Sequence, residues 1–372
     1  MLSIGITGQS GFLGTHLYNT LGLYPKEFKR IPFEDVYFED TNKLNKFVKQ
    51  CDVIIHLAAM NRHHDPETIY KTNIGLVKKL IEALEQNVNK PHILYSSSVQ
   101  EDIDNLYGRS KKEGREMLAE WAKDNGTLFT GFVFPNIFGP FGKPYYNSFI
   151  ATFSHQLTHS ETPKIEVDKK VPLLYVSEAV AVILDAVRKK ANYTEYRVQH
   201  TAERGVTEIL GILTGFRNTY FEKSIIPELK DQFEINLFNT FRTYIDIKQH
   251  YPVHLKKNTD NRGSFVETIK SNIGGQFSFS TTKPGITRGN HFHTRKIERF
   301  VVIKGQARIQ LRRIGTNEVL NFDLDGDHPA FVDMPVWHTH NITNTGEEDL
   351  YTIFWISEFF DADDPDTYNE KV

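Results

Sequence analysis

Leu2-Ser3-Ile4-Gly5-Ile6-Thr7-Gly8-Gln9-Ser10-Gly11-Phe12-Leu13-Gly14 opens the chain and decides how its first half folds. Leu2–Thr7 reads as a strand, three spaced glycines follow, and Phe12–Leu21 reads as a helix. In a strand–turn–helix context such glycines permit a tight turn and close backbone approach. The helix N-terminus then points its N–H groups at a pyrophosphate. Gly8, Gly11, Phe12, Leu13 and Gly14 are therefore expected cofactor contacts. Outward from this stretch, Asp52–Ala58 and His92–Ser97 are continuous apolar runs. Between them Tyr70–Gln86 carries Ile74, Val77, Leu80, Ile81 and Leu84 at helical spacing. Strands alternating with helices predict an α/β, Rossmann-type doubly wound parallel sheet, buried on both faces. Ile226–Ile245 reads as one more amphipathic helix, closing a first domain over residues 1–245.

Beyond residue 250 helical periodicity fades. Short β-type runs appear at Gly275–Thr281, Arg299–Ile303, Ala307–Leu311, Ala330–Met334 and Leu350–Ile356, punctuated by turn residues. They predict an all-β barrel or sandwich over residues 246–372. Composition narrows the function classes. With 44 basic and 47 acidic side chains the net charge is −3, so no nucleic-acid footprint is expected. No apolar stretch approaches the ~20 residues that span a bilayer, and no signal-peptide pattern precedes the first strand. The single cysteine, Cys51, excludes an internal disulfide and a Cys-based zinc cluster. A cytoplasmic, two-domain enzyme is the expectation.

Three features of the first half carry chemistry. Glu27-Phe28-Lys29-Arg30-Ile31 places two cations where a ribose-binding acid usually sits, which favours NADP(H), with Arg30 or Lys29 as the 2′-phosphate partner. Tyr107 and Lys111 share a helix face at i,i+4. An ammonium there lowers a nearby phenol's pKa, so that the tyrosine can pass a proton near neutrality. Ser96-Ser97-Ser98 at a strand end offers a hydroxyl to polarise a carbonyl. Together with Asp40, His56-Leu57-Ala58-Ala59, Asn73 and Pro135-Asn136-Ile137-Phe138-Gly139-Pro140, these motifs resemble the extended short-chain dehydrogenase/reductase family over residues 1–240. The resemblance implies that Asp40 lies near the adenine and that Leu57, Ala58 and Ala59 line the cofactor cleft. It also implies that Ser98 (or Ser97), Tyr107 and Lys111 form the catalytic set, and that Asn136 touches substrate. One departure is plain: only nine positions separate Ser98 from Tyr107, fewer than the family usually has.

In the second half, His291 and His293 face the same way on a strand, and Glu298 can join them from the adjoining strand. His338 and His340, again two apart, offer a fourth ligand, with His340 favoured. Imidazole plus carboxylate suits Zn, Fe, Mn or Ni. The pattern Gly-x5-His-x-His-x4-Glu-x6-Gly over 285–305, with Pro335, His340 and Asn344, resembles the two cupin motifs. Trp337 stands where the second motif usually has glycine. Arg288, just before the first histidine, is a candidate for binding a diphosphate.

A reductase-like half joined to a metal cupin resembles the CapF family of bifunctional capsule-precursor enzymes, over nearly the whole chain. That resemblance implies a homodimer acting on a UDP-2-acetamido-2,6-dideoxy-4-ketohexose. The cupin would epimerise C3, and NADPH would then reduce C4 to give a UDP-2-acetamido-2,6-dideoxy-L-talose for surface polysaccharide. Zn2+ is favoured because the metal need not change redox state, and His338 is a candidate base. Two other readings stand beside it: a keto-sugar reductase with a purely structural cupin, and a non-catalytic NADP(H)-sensing regulator.

Overall fold

A computed structural model describes all 372 residues, Met1–Val372. They form two compact units, Met1–Thr152 with Glu166–Val206, and Phe153–Ile165 with Thr207–Val372. No helix is long and apolar enough to cross a membrane.

The first unit is built on β1 (Leu2–Thr7), β2 (Phe28–Ile31), β3 (Val53–His56), β4 (His92–Ser98) and β5 (Phe129–Phe134). They lie in the order β2-β1-β3-β4-β5, with Tyr193–Arg197 beyond β5, and every pairing is parallel. The connections are α1 (Phe12–Leu21), α2 (Thr41–Gln50), α3 (Pro66–Glu85) and α4 (Leu106–Asp124). Successive strand residues go to opposite faces. Ile55 packs with Ile6, Leu17 and Ile183 on one side, and Ile54 with Phe47, Leu80 and Trp121 on the other. That double burial is why these strands are apolar without alternation. Helix α3 starts four residues earlier than its apolar spacing predicted. Asp65 caps it by accepting from the Glu67 N–H (3.0 Å) and the Thr68 hydroxyl (2.7 Å), and Pro66 fits the first turn.

The second unit holds two five-stranded antiparallel sheets. One orders Val253–His254, Ala330–Met334, Glu298–Lys304, Leu350–Ile356 and Gln276–Thr282. The other orders Val319–Asp325, Gln306–Arg313, His338–Asn344, Thr287–Phe292 and Tyr368–Asn369. Val301 and Val332 from the first share a core with Ile309, Leu311 and Ile342 from the second. All five predicted β runs are present. The strands Thr287–Phe292 and His338–Asn344 carry the histidines that the period-two spacing placed on strands, and Val319–Asp325, broken by Asn321, Asp323 and Asp325, escaped the sequence reading.

Thr207–Ile245 group with the β sheets, as does Phe153–Ile165, whereas the change of periodicity placed the boundary at 245/246. Residues 226–245 are also not one helix. Ile225–Ile226 is a strand paired with Lys270–Ser271, and the helix is Gln232–Arg242, capped by Asp231. The reason is polar. Asn239 donates to the Arg295 carbonyl (2.9 Å), Arg242 donates to the Met334 carbonyl (3.0 Å), and the Tyr220 hydroxyl donates to Asp333 (2.6 Å). These buried bonds tie the segment to the β sheets that follow it.

Candidate functional site

In the first unit the glycine loop closes against the end of β3. Gly8 has φ +72°, and a Cβ there would stand 2.7 Å from the Ala58 nitrogen; a Cβ on Gly14 would stand 2.2 Å from the Gly8 oxygen. Only glycine allows both approaches. Helix α1 has no side-chain cap, so its first N–H groups face a cleft of about 920 Å³. Gly8, Gly11, Phe12, Leu13, Gly14, Leu57, Ala58, Ala59, Ser98, Tyr107, Lys111 and Asn136 all line it. Asn73 explains part of that assembly. It accepts from the Met60 N–H (2.7 Å) and donates to the Ser110 hydroxyl (3.0 Å), tying the segment after β3 to α4.

The short stretch between Ser98 and Tyr107 is one 3-10 turn (Val99–Asp102) followed by Asn105, which caps α4 by accepting from the Gly108 N–H (2.7 Å). The turn also separates the serines. Ser97 donates its hydroxyl to Glu101 (2.5 Å), and Glu101 takes two further bonds from Arg115 (2.8 and 3.2 Å). Ser98 instead accepts from the Gln100 N–H (3.2 Å), which leaves its own proton for the cleft. Of the two serines, Ser97 is the one whose hydroxyl proton is spent on Glu101. Lys111 is buried, with its ammonium 4.4 Å from the centre of the Tyr95 ring. Burial pushes it down to about 7, against the pull of Glu101. Burial, and then the neighbouring Tyr146 phenol, pushes Tyr107 up to about 12, the opposite of the lowering expected from Lys111. Glu101, Tyr95 and Tyr146 were missed at the sequence level because each is brought in from outside the motif it serves.

Three expected cofactor residues lie elsewhere. Lys29 is exposed, and Arg30 turns to α1, its guanidinium 4.5 Å over the Tyr18 ring and donating to the Tyr18 carbonyl (3.3 Å). Asp40 caps α2 by accepting from the Lys43 N–H (3.1 Å). None of the three lines the cleft; Asp35 and Glu39 do. β2 is the edge strand of the sheet, where both cations are exposed, and a helix start explains the acid.

In the second unit His291, His293, Glu298 and His340 converge, with their ligand atoms all within 4.8 Å of one another. A β-bulge at Gly289–Asn290 sets the register, and a Cβ on Gly289 would stand 2.8 Å from the His340 oxygen. His293 Nε2 and His340 Nε2 each lie 3.1 Å from Glu298 Oε2, all three atoms buried and none in a hydrogen bond. The outer nitrogens are spoken for. His293 Nδ1–H donates to the Asp366 carbonyl (2.5 Å), and His340 Nδ1–H donates to the His338 carbonyl (3.2 Å). This assignment follows from the bonding network and turns the Nε2 lone pairs inward. Burial, and then His340, pushes His291 down to about 4. Three imidazoles and one carboxylate, with His293, Glu298 and His340 buried and His291 half-buried, fit a divalent transition-metal ion.

His338 stands outside this group. It is buried, donates Nδ1–H to the Val336 carbonyl (3.0 Å), and is pushed down to about 4 chiefly by burial. Arg288 bonds to Thr282 (3.1 Å) and the Thr281 carbonyl (3.2 Å) at the edge of the neighbouring sheet. Trp337 takes φ +60°, the conformation that glycine favours, and its N–H donates to the His293 carbonyl (2.8 Å). Asp366 went unnoticed in the sequence. Its carboxylate gathers the Thr294, Arg295 and Lys296 N–H groups (each 3.0 Å) while its carbonyl orients His293.

Comparison with known proteins adds the following. Residues 4–198 match the NAD dependent epimerase/dehydratase family, and residues 258–368 match a polysaccharide biosynthesis C-terminal domain. A UDP-2-acetamido-2,6-beta-L-arabino-hexul-4-ose reductase from Pseudomonas aeruginosa is 32% identical, over 99% of this chain and 98% of its own. The crystal structure of the capsular polysaccharide assembling protein CapF from Staphylococcus aureus superposes with a TM-score of 0.62 at 33% identity, covering 100% of both chains. A UDP-glucose 4-epimerase from Thermotoga maritima, 18% identical over 65% of this chain and 98% of its own, shares the fold with a TM-score of 0.55.

Proposed function

Because the chain belongs to the NAD dependent epimerase/dehydratase family and, along its full length, to the CapF family, we propose that it is a bifunctional enzyme of UDP-sugar metabolism. In this reading the second unit, a metal cupin, epimerises C3 of a UDP-2-acetamido-2,6-dideoxy-4-ketohexose. The first unit then reduces the C4 ketone, giving a UDP-2-acetamido-2,6-dideoxy-L-talose for capsular polysaccharide, on the route to N-acetyl-L-fucosamine. A homodimer belongs to the same reading. One observation carries it: a single chain holds a dinucleotide-type cleft walled by Ser98, Tyr107 and Lys111, and a buried centre of three imidazoles and one carboxylate.

His291, His293, Glu298 and His340 would hold a divalent ion, with zinc favoured because the ion need not change redox state. Such an ion supplies Lewis-acid stabilisation of the negative charge that builds on the C4 oxygen as the C3 proton leaves. The Asp366 and His338 carbonyls keep two of the imidazoles in the ligating tautomer. In this reading His338, neutral at pH 7 and two residues from His340 on the same strand, would take the C3 proton. In the first unit the residues of the cleft would hold a reduced nicotinamide dinucleotide, whose chemistry when bound would be hydride donation to C4. Ser98 donates to the C4 oxygen, Tyr107 gives it a proton, and the Lys111 ammonium favours the phenolate left behind. The sequence pointed to NADPH through Lys29 and Arg30. Neither reaches the cleft, so the choice of dinucleotide turns on the groups that line it.

The test is product NMR in heavy water with the keto-sugar and reduced dinucleotide. Deuterium is expected at C3, with C4 reduced. Tyr107→Phe should stop dinucleotide oxidation and keep C3 exchange; His291→Ala should stop C3 exchange. Wild-type deuterium entry in His291→Ala would exclude the metal role and leave a reductase with a structural second unit.

A further inference from the structure

The end of β2 lies beside the end of β1, with Gly5 opposite Ile31. Two bonds latch the segment beyond it onto the glycine loop. The Phe33 N–H donates to Gln9 Oε1 (3.1 Å), and the Ser10 hydroxyl donates to Asp35 Oδ2 (2.9 Å). Asp35 is exposed and faces the cleft. Because β1 sits between β2 and β3, the crevice at their C-terminal ends is the switch point of the sheet. A dinucleotide bound there rests its pyrophosphate on α1 and its adenosine ribose over the end of β2. The group waiting at that ribose is a carboxylate.

The surrounding charges sharpen this. The cations on the cleft wall are Arg62 and Lys111. Lys111 belongs to the catalytic wall, and Arg62, in the segment after β3, reaches toward the Tyr145 carbonyl (3.4 Å). Arg30 stacks on Tyr18 and Lys29 is exposed, and neither lines the cleft. Glu39, the other acid of this end, is paired with Lys79 (3.3 Å). Asp35 is held by a neutral hydroxyl only, so its charge is uncompensated at the place where a 2′-phosphate would sit.

We propose that Asp35, positioned by Ser10, selects the dinucleotide: it accepts a hydrogen bond from an adenosine 2′-hydroxyl and repels a 2′-phosphate, so the chain takes NADH in preference to NADPH. This rests on the reading of the cleft as a nicotinamide dinucleotide site and replaces its expected cofactor. The carboxylate acts twice, as an acceptor for the hydroxyl and as a like charge against the phosphate. The second effect is the larger at low salt and is screened as salt rises.

The experiment is a binding titration of the full-length protein with NADH and with NADPH, without sugar, followed by nicotinamide fluorescence at low and high ionic strength. NADH should bind at least about tenfold more tightly at low salt, with the gap narrowing at high salt. Asp35→Ser should tighten NADPH about tenfold or more and bring the two affinities together. Because Asp35 is exposed, the variant should keep the wild-type circular dichroism. Equal or tighter binding of NADPH by the wild-type protein overturns the proposal, as does an unchanged affinity ratio in Asp35→Ser. Binding of neither dinucleotide overturns the reading of the cleft itself, and the proposal with it.

Discussion

Lys111 keeps an ammonium-bearing chain in a buried place, where the face of Tyr95 and the more distant Glu101 are its compensation. Its pKa falls from 10.5 to about 7 on folding. Between those values the unfolded chain binds one more proton than the folded one, so stability rises with pH across that window. Below pH 7 the burial penalty is expressed in full, and by pH 10.5 it is gone. Lys111→Met should therefore stabilise the cofactor-free protein below pH 7, by about 3–5 kcal/mol at the upper limit. The gain should vanish toward pH 10.5, as melting curves of both proteins across pH would show, while sugar reduction is lost. An equal gain at every pH would mean that packing, not charge, is responsible. His338 is separable in the same way from the ligands two residues along its strand. His338→Gln should abolish deuterium entry at C3 with stoichiometric metal retained, whereas His291→Ala should lose both; metal analysis beside the NMR decides.

At the level of elements, the metal cluster depends on backbone placed by unusual residues. The bulge at Gly289–Asn290 lets the strand Thr287–Phe292 shift register against His338–Asn344 and still bring His291 opposite His340. Trp337, at φ +60°, turns the chain into that second strand, and its ring lies 5.6 Å from Phe292. A non-glycine residue in this conformation costs roughly 1–2 kcal/mol, set here against the burial of an indole. Trp337→Gly should relieve the strain and lose the packing, for a net loss of about 1–3 kcal/mol in chemical denaturation. A stabilised variant would show that strain outweighs packing. Asp366 acts from the far end of the chain. Its carboxylate gathers three consecutive N–H groups, and its carbonyl fixes the His293 ring. Asp366→Ala should weaken zinc binding by about 10–100-fold with the four ligands intact, measured by competition with a chromogenic chelator.

Across the whole chain, the segment Thr207–Ile245 belongs with the β sheets because of one buried charge network. Arg299 makes a two-bond pair with Asp333 (2.7 and 2.9 Å), Tyr220 donates to the same carboxylate (2.6 Å), and Arg242 donates to Tyr220 (3.2 Å). Asp333→Asn removes the one carboxylate facing two buried guanidinium groups and should cost about 3–5 kcal/mol in denaturant unfolding. Asp333→Asn with Arg299→Met should recover part of that loss. The sequence by itself determined the parallel sheet, the glycine loop and the histidine-rich centre, because local periodicity and short fixed spacings encode each of them. Tyr107 and Lys111 are four residues apart on one helix; His291 and His293 are two apart at the end of one strand. Tertiary structure alone decided which carboxylates line the cleft, which serine bonds Glu101, how residues 207–245 group, and that Asp366 bonds His293. Each of those answers rests on groups that chain topology brings together from separate segments. A side chain's direction, inward like Asp35 or outward like Arg30, is settled by the packing of its neighbours and not by its own residue type.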